Sequence, residues 1–397
     1  MRVTHIITRL VIGGAQENTL YTVNGLRARP GMDLRLISGP AIGPEGSLES
    51  AAASIPGLLT VVPELVRPVH PLKDFTALRQ LESLLREQQP DIVHTHSGKA
   101  GVLGRLAARR AGVPIVIHHI HGPSFGNFQG PLANWLFTAA ERYAGRMTDH
   151  FFCSADAMTR LYLAAGIGRP EQFTRIFSGF QLEPFLHAAN DLSLRQSLGL
   201  NESHFVIGKI ARLFKLKGHA DLLAAFARLL PQAPQARLLF VGDGLLRGQL
   251  EAQVRELGLT GKVVFTGLVP PDAVGRYVGI MDCLAHLSRR EALSRALPQA
   301  LAAGKPVVAY DFDGADEVCR EGATGFVVKT GDLVTVTHRL LQLANDPALR
   351  NRLGRCGQTF VRENFAIEKM VADQYRVYTE LTAAGPDRTR RHSPLDP

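Results

Sequence analysis

Cysteine and tryptophan are both scarce in this chain. Only 4 of its 397 residues are cysteines (Cys153, Cys283, Cys319 and Cys356), and a single residue is tryptophan. The cysteines show no Cys-x-x-Cys spacing. This argues against a disulfide framework and a zinc ribbon, so we expect reduced thiols in a cytoplasmic protein.

Long apolar runs are also missing. No window approaches the roughly 18 consecutive apolar residues of a membrane-spanning helix. The opening MRVTHIITRL has an apolar run too short for a signal peptide. Both observations favour a cytoplasmic location.

Nucleic-acid and dinucleotide motifs are absent as well. The formal charge is +9, but there is no polybasic run, zinc-finger spacing or basic motif interleaved with aromatics, so no nucleic-acid partner is expected. The positive surplus is either a solvated surface or an attraction to anionic substrates or an anionic leaflet. No Gly-x-Gly-x-x-Gly follows the first strand-like run, which disfavours a dinucleotide dehydrogenase.

What the sequence does contain is a repeated alternation of strands and helices. VTHIIT, DLRLIS, DIVHTH, PIVIHH and DHFFC are strand-like, and helical stretches separate them. The same rhythm restarts at FVIGKIA and continues through ARLLFVG, KVVFTG, DCLAHL, KPVVAY and GFVV. The alternation predicts α/β architecture, with two doubly wound domains built on parallel sheets.

The break in this rhythm predicts the domain boundaries. We expect an N-terminal domain over 1–180, a linker over 181–204 and a C-terminal domain over 205–366. A helix over 367–383 is expected to pack back on the N-terminal domain. The Pro- and Arg-rich tail 384–397 has little to bury and is expected to be disordered.

The segment ARLFKLKGH places two cations at a strand end, where ligands of such folds bind. Arg212 and Lys217 fall between a predicted strand and a predicted helix. Two fixed cations there can neutralise a diphosphate, Arg through its planar fork and Lys as a point charge. The alternative is a pair of exposed basic residues in a loop.

The segment SRREALSRALPQALAA places a carboxylate before a predicted helix that begins near Leu293 or Ser294. The free N–H groups of that helix would form an anion site. A carboxylate such as Glu291 would repel phosphate there, so it is better suited to accept hydrogen bonds from sugar hydroxyls. Gln299, two turns along, could reach a second polar group of the same ligand. Alternatively, Glu291 only stabilises a helix start.

These motifs, in this order, resemble the retaining glycosyltransferases of family 4. ARLFKLKGH is similar to that family's Arg-x4-Lys-Gly signature, and VFTGLVP and SRREALSRALPQALAAGKPVVAYDFDGADEV are similar to its core. RLVIGGAQENTL and HTHSGKAGVLGRLAARRAGVPIVIHHIHGPSF resemble members that act on polysaccharides and lipid-linked sugars. The resemblance implies the GT-B fold, two facing Rossmann-like domains with a cleft between them. It also implies that the N-terminal domain lies on the acceptor side and that the C-terminal domain binds the nucleotide sugar.

The resemblance also implies roles for individual residues. Glu291, His121, Arg212 and Lys217 take catalytic positions. The implied donor-binding positions are Gly13, Gly14, Gly242, Leu268, Leu293, Ser294 and Gln299.

Several positions depart from the family pattern, among them Ser294, Ser178 and Gln181, and two others bear directly on the donor. Gln299 stands where the second acid of the Glu-x7-Glu motif holds the ribose, a change that should cost about 1 kcal/mol or less because ribose is neutral. Ala292 stands where Gly is usual.

The histidines His94, His96, His118 and His119 raise the question of a metal. Two strand ends without a nearby acid make a poor zinc set. We expect His94, His118 and His119 to be packed strand residues and His96 to lie near the acceptor. We expect neither a metal nor another cofactor, because Arg212 and Lys217 can supply the charge.

The function implied is the transfer of a sugar from a nucleotide diphosphate sugar, UDP by family frequency, to a hydroxyl acceptor with retention of configuration. The acceptor would be a saccharide or a lipid-linked sugar in surface polysaccharide or glycolipid synthesis, at the inner face of the membrane. The alternatives left open are a non-catalytic sugar-nucleotide-binding protein and a nucleotide-sugar epimerase or phosphorylase of the same architecture.

Overall fold

The structure is a computed structural model of the chain, and it describes residues 1–43, 46–96, 98–126 and 128–385. The described chain divides into two compact units. Unit 1 comprises 1–180 together with the segment from Ile367 onward, and unit 2 comprises 181–366. Nearly all of the predicted tail, residues 386–397, lies outside the described residues.

Unit 1 is built on a parallel sheet. Within the described residues its order is β3-β2-β1-β4-β5-β6-β7, and every neighbouring pair is parallel. The strands are β1 (Arg2–Ile7), β2 (Asp33–Ser38), β3 (Leu59–Val61), β4 (Ile92–His96), β5 (Ile115–Ile120), β6 (His150–Cys153) and β7 (Phe173–Arg175). The short edge strands β3 and β7 were not anticipated, because three residues carry too little pattern to identify.

Helices connect the strands of unit 1 and cover both faces of its sheet. They are α1 (Gly14–Arg27), α2 (Glu49–Ala53), α3 (Pro71–Gln88), α4 (Gly98–Arg110), α5 (Pro131–Gly145) and α6 (Asp156–Ala164). Alternate residues of β1 enter different cores: Val3 and Ile7 pack on one face, and Ile6 packs on the other. Strands covered on both faces read as near-continuous apolar runs, which explains why the sequence shows them clearly.

Unit 2 repeats the design. The order of its described strands is β10-β9-β8-β11-β12-β13, again parallel throughout. These are β8 (Phe205–Ile210), β9 (Ala236–Val241), β10 (Val263–Phe265), β11 (Cys283–His286), β12 (Val307–Tyr310) and β13 (Gly325–Val328). Its helices are α7 (Glu183–Leu186), α8 (Leu192–Ser197), α9 (His219–Leu229), α10 (Arg247–Glu256), α11 (Val274–Gly279), α12 (Ala296–Ala302), α13 (Leu333–Asn345) and α14 (Pro347–Asn364).

The final helix, α15 (Ile367–Ala384), belongs to unit 1. Its Met370, Val371 and Tyr378 are buried in the same core as Val3 and Ile7. Residues 181–204, predicted to be a linker, instead group with unit 2 and form α7 and α8. One reason is that Arg195 of α8 is buried and donates hydrogen bonds to Ile280 O (2.8 Å) and to the carboxylate of Asp282 (3.2 Å).

Among the described residues, no helix is both long and apolar enough to cross a bilayer. The two parallel, doubly wound sheets confirm the predicted fold class.

Candidate functional site

The strand order of unit 2 reverses direction between β8 and β11. In doubly wound sheets such a switch point opens a crevice at the carboxyl ends of the two strands, where ligands bind. The loop 211–218 follows β8, and the loop 287–295 follows β11. Every catalytic residue predicted for the C-terminal half lies in one of these two loops.

A glycine holds the two loops against each other. Gly218 has φ of 70°, and a Cβ built on it would lie 1.8 Å from Leu287 O, so only glycine fits. Leu216 O accepts hydrogen bonds from Arg289 N (2.8 Å) and Ser288 Oγ (3.2 Å). Lys217 lies between these two anchored residues and is therefore held facing the second loop.

Lys217 and Glu291 form an ion pair in this crevice. The side chains of Lys217 and Glu291 are 19% and 29% exposed to solvent, so the pair is accessible to a ligand. The backbone N–H of Glu291 donates a 2.7 Å hydrogen bond to Asp313 Oδ2. Burial, followed by the charge of nearby Glu291, raises the pKa of Asp313 to about 6. Asp313 was not predicted from the sequence, although it lies within the family-like segment YDFDGADEV.

The other predicted cation occupies a more open position. Arg212 is exposed at the start of the same loop, and its guanidinium lies 5.0 Å from the centre of the Phe214 ring. Gly242, at the end of β9, has φ of 130°, and a Cβ there would approach Ala211 O to 2.3 Å. Leu268, after β10, is 78% exposed.

The helix after Glu291 begins later than predicted. Helix α12 starts at Ala296, so Leu293 and Ser294 precede it and Glu291 is not at a helix entrance. The reason is that Asp313 and the backbone of Gly314, which donates to Ala292 O (3.1 Å), hold this segment in a loop. The segment from Glu291 to Gln299 therefore does not follow one helix face.

Side chains still gather around this loop. Glu291, Leu293 and Ser294 line one small pocket together with His286 and Leu297. Gln299 is half-buried within α12.

Beneath the crevice lies a group of buried basic side chains that the sequence analysis missed. Lys209 in β8, His219 at the start of α9 and His286 at the end of β11 are 0%, 2% and 3% exposed. Lys209 Nζ and both ring nitrogens of each histidine have no hydrogen-bond partner among the described residues. Burial, reinforced by the charge of Lys217, lowers the pKa of Lys209 to about 7. Burial likewise keeps the pKa of His286 well below its usual value, so this ring is neutral. The sequence feature that could have revealed this group is the lysine within the otherwise apolar strand FVIGKIA.

The remaining predicted residues belong to unit 1. Gly13 precedes α1 in an extended conformation, and Gly14 is the first residue of α1. His121 follows β5 and is half-buried. Its Nε2 lies 3.0 Å from Nδ1 of His96 at the end of β4. Burial lowers the pKa of His121 to about 3, so its imidazole is neutral.

Two family profiles match the chain in succession. The profile described as glycosyl transferase 4-like domain matches residues 13–176, and the profile of glycosyl transferases group 1 matches residues 191–360. The chain is also 30% identical over 321 residues to EpsD, a candidate glycosyltransferase of Bacillus subtilis (strain 168), with 78% of this chain and 82% of EpsD covered. The chain belongs to the group 1 glycosyltransferases.

Other relatives agree with this membership. The chain is 26% identical to the Escherichia coli UDP-Gal:alpha-D-GlcNAc-diphosphoundecaprenol alpha-1,3-galactosyltransferase over 324 residues, which covers 81% of this chain and 83% of that enzyme. Its fold is similar to the crystal structure of Anabaena HepE in complex with UDP-glucose, with a TM-score of 0.79 at 23% identity over 96% of this chain and 100% of HepE.

The glycosyltransferase therefore has the GT-B fold, and its family retains anomeric configuration. It is an enzyme that uses a nucleotide sugar. The predicted family, fold and enzyme class are confirmed. The roles of individual site residues stay predictions.

Proposed function

We propose that this glycosyltransferase transfers a sugar from a UDP-sugar to a hydroxyl group of a saccharide or lipid-linked acceptor in surface polysaccharide or glycolipid synthesis. The observation that carries the proposal is the accessible Lys217–Glu291 pair at the switch point of unit 2. The names of two relatives support the choice of nucleotide and acceptor, since one uses UDP-Gal and a diphosphoundecaprenol-linked sugar, and another was crystallised with UDP-glucose.

In this mechanism the cations stabilise the leaving group. The bond between the anomeric carbon and the diphosphate oxygen breaks, and its electron pair moves to that oxygen. Lys217 and Arg212 offset the charge that develops there, which is the kind of interaction that strengthens in the transition state. The acceptor oxygen bonds to the anomeric carbon from the same face, and its proton passes to the departing phosphate oxygen.

The uncharged parts of the UDP-sugar need protein groups that accept or donate hydrogen bonds. Glu291 accepts from sugar hydroxyls, and in the absence of donor the same carboxylate holds Lys217 in place. His121, whose imidazole is neutral because its pKa is lowered, contacts the sugar, and Gln299 contacts the ribose. The backbone can approach the phosphates closely at Gly13, Gly14 and Gly242. The nucleotide is contacted by Leu268, Leu293 and Ser294. Because Lys217 and Arg212 provide the positive charge, transfer is expected to continue in excess chelator.

An exposed apolar face supports contact with the inner surface of a membrane. On α5, Leu132, Trp135 and Leu136 are 71%, 65% and 51% exposed, and Arg142 and Arg146 lie at the C-terminal end of the same helix. Apolar side chains beside basic ones suit an anionic lipid interface. Co-sedimentation with vesicles containing phosphatidylglycerol, weakened in Trp135→Ala, would support this contact, and equal sedimentation of both proteins would refute it.

The test of the catalytic proposal is the release of UDP from a panel of UDP-sugars by the wild type, Lys217→Ala and Lys215→Ala. Lys215 is an exposed lysine in the same loop and is the matched control. We expect Lys217→Ala to lower turnover by about 10²–10³-fold, the usual effect of deleting one group that stabilises developing charge, and Lys215→Ala to stay near the wild type.

Turnover of Lys217→Ala within threefold of the wild type would contradict the assignment. Tight UDP-sugar binding without any UDP release by the wild type would indicate the non-catalytic binding protein instead.

A further inference from the structure

Three imidazoles form a chain of close contacts in unit 1. His5 lies in β1, His96 ends β4 and His121 follows β5. His5 Nδ1 is 2.9 Å from His96 Nε2, and His96 Nδ1 is 3.0 Å from His121 Nε2. His5 and His96 are completely buried, and His121 is half-buried. The chain therefore runs from the core of the unit outwards, and His96, which was expected near the acceptor, reaches the surface only through His121.

Both contacts have the geometry of linear hydrogen bonds. The ring centres of His5 and His96 are 5.2 Å apart with planes at 15°, and those of His96 and His121 are 5.3 Å apart with planes at 22°. In each pair the centres are farther apart than the two nitrogens by about 2.3 Å, roughly two ring radii, so the nitrogens lie on the line between the centres, as a linear N–H···N bond requires. The rings therefore meet edge to edge along their in-plane lone pairs.

The hydrogens in this chain must all point the same way. A neutral imidazole carries one hydrogen on its two nitrogens. Desolvation lowers the pKa of His5 and of His121 to about 3 and, together with the neighbouring histidines, keeps the pKa of His96 well below its usual value, so all three rings are neutral at pH 7. Both nitrogens of His96 are engaged. One of them therefore donates and the other accepts.

The buried end of the chain decides the direction. His5 Nε2 is enclosed and has no hydrogen-bond partner among the described residues. With the hydrogens directed inwards, this atom would be a buried N–H without an acceptor, whereas in the opposite direction it keeps only a lone pair. Proteins leave buried N–H groups unpaired more rarely than acceptors. His5 therefore donates to His96, His96 donates to His121, and the hydrogen of His121 lies on Nδ1.

We propose that His96 is a positioning residue for the sugar transfer: with His5 behind it, His96 fixes His121 as the Nδ1–H tautomer. His121 then presents an N–H donor to an oxygen of the donor sugar. This role rests on the proposed function, in which His121 contacts the sugar.

The fixed tautomer excludes one chemical role and suits another. The Nε2 lone pair of His121 is engaged by His96, and its Nδ1 carries a hydrogen, so the ring has no free lone pair with which to act as a general base. A neutral N–H binds a hydroxyl oxygen without placing a positive charge beside an anomeric carbon that becomes positive in the transition state. His119 stacks on His121 with ring centres 4.0 Å apart and planes at 15°, which holds the ring in this orientation.

Nuclear magnetic resonance reads the tautomer directly. The full-length chain would be labelled with ¹⁵N-histidine, and each ring nitrogen would be correlated with the ring C–H protons at pH 7 to show whether it carries a hydrogen. The signals of His121 are those missing in His121→Gln. We expect wild-type His121 to carry its hydrogen on Nδ1. The control His338→Ala removes an exposed histidine and should leave the His121 signals unchanged.

The matched variants are His96→Asn and His96→Leu, whose new side chains have almost the same shape. In Asn, as in His, a nitrogen is bonded directly to Cγ, so the amide can still donate to His121 Nε2, whereas Leu cannot. We expect His96→Asn to keep the tautomer of His121 and to keep kcat for UDP release within about threefold of the wild type. His96→Leu should lose the fixed tautomer and lower kcat about tenfold, the effect of one hydrogen bond.

A wild-type His121 with its hydrogen on Nε2 would overturn the proposal, and this result does not depend on whether any variant folds. An unchanged His121 tautomer in His96→Leu would also overturn it, as would an equal loss of kcat in both variants, because packing alone would then explain the effect. Absence of UDP release by the wild type would refute the proposed transfer instead. The tautomer spectra distinguish the two failures, because they require no turnover.

Discussion

Replacing Lys209 by methionine tests the electrostatics beneath the candidate donor site. The lysine is completely buried in β8, and its ammonium group has no hydrogen-bond partner among the described residues. Burial lowers its pKa from 10.5 to about 7. Methionine keeps the unbranched shape and removes the amine, so little packing is lost.

The pKa shift sets the size and the pH dependence of the effect. Lowering the pKa of Lys209 from 10.5 to about 7 corresponds to at most about 5 kcal/mol of lost stability at neutral pH, since one pKa unit is about 1.4 kcal/mol. The folded pKa lies below the unfolded value, so the unfolded chain binds the extra proton between about pH 7 and pH 10.5. Wild-type stability from this group therefore rises with pH across that window. The advantage of Lys209→Met should be largest near pH 7 and should shrink towards pH 10.5.

The assay is thermal unfolding of the wild type, Lys209→Met and the exposed control Lys215→Met at pH 7 and pH 10. We expect Lys209→Met to melt at a higher temperature than the wild type at pH 7, with a smaller difference at pH 10. A lower melting temperature at pH 7, or a gain that is the same at both pH values, would refute the reasoning. So would an equal gain in the control, because the effect would then not arise from burial.

Three further predictions concern other parts of the chain. Arg105 donates to Glu141 Oε2 (2.6 Å), and the two side chains are 0% and 2% exposed. Arg105→Met leaves the buried Glu141 carboxylate without its ion-pair partner, so it should lower the free energy of unfolding by about 3–5 kcal/mol in urea titrations. Adding Glu141→Leu removes that buried charge and should recover part of the loss. No recovery in the double variant would contradict this account. Gly218→Ala should lower turnover at least tenfold, since a Cβ would strike Leu287 O and displace the adjacent cation. Normal turnover would show that the loop adapts. Gln299→Glu should change the KM for a UDP-sugar by less than tenfold, because ribose is neutral and only one hydrogen bond is exchanged. A larger change would show that the residue contacts a charged part of the donor.

Where the signal was local, the sequence predicted correctly where the candidate residues lie in the fold. The Arg-x4-Lys-Gly segment and Glu291 lie at strand ends, as expected, because each follows a recognisable buried strand. The predicted start of α12 was wrong. Its position depends on Asp313, which lies 22 residues from Glu291 and holds that residue's backbone in a loop. Helical periodicity in ALSRALPQALAA contains no information about that contact.

The sequence by itself determined the two parallel α/β units and the family, because strand periodicity, the alternation of strands with helices and an ordered set of short motifs are all local properties of the chain. Only the tertiary structure decided which distant residues meet. His5 and His96 are 91 residues apart, and His94 and Tyr378, whose hydroxyl lies 2.5 Å from the imidazole, are 284 residues apart. Such pairs arise from the order and register of parallel strands and from the return of α15 to unit 1. No local pattern encodes these features, because each depends on the packing of the whole unit.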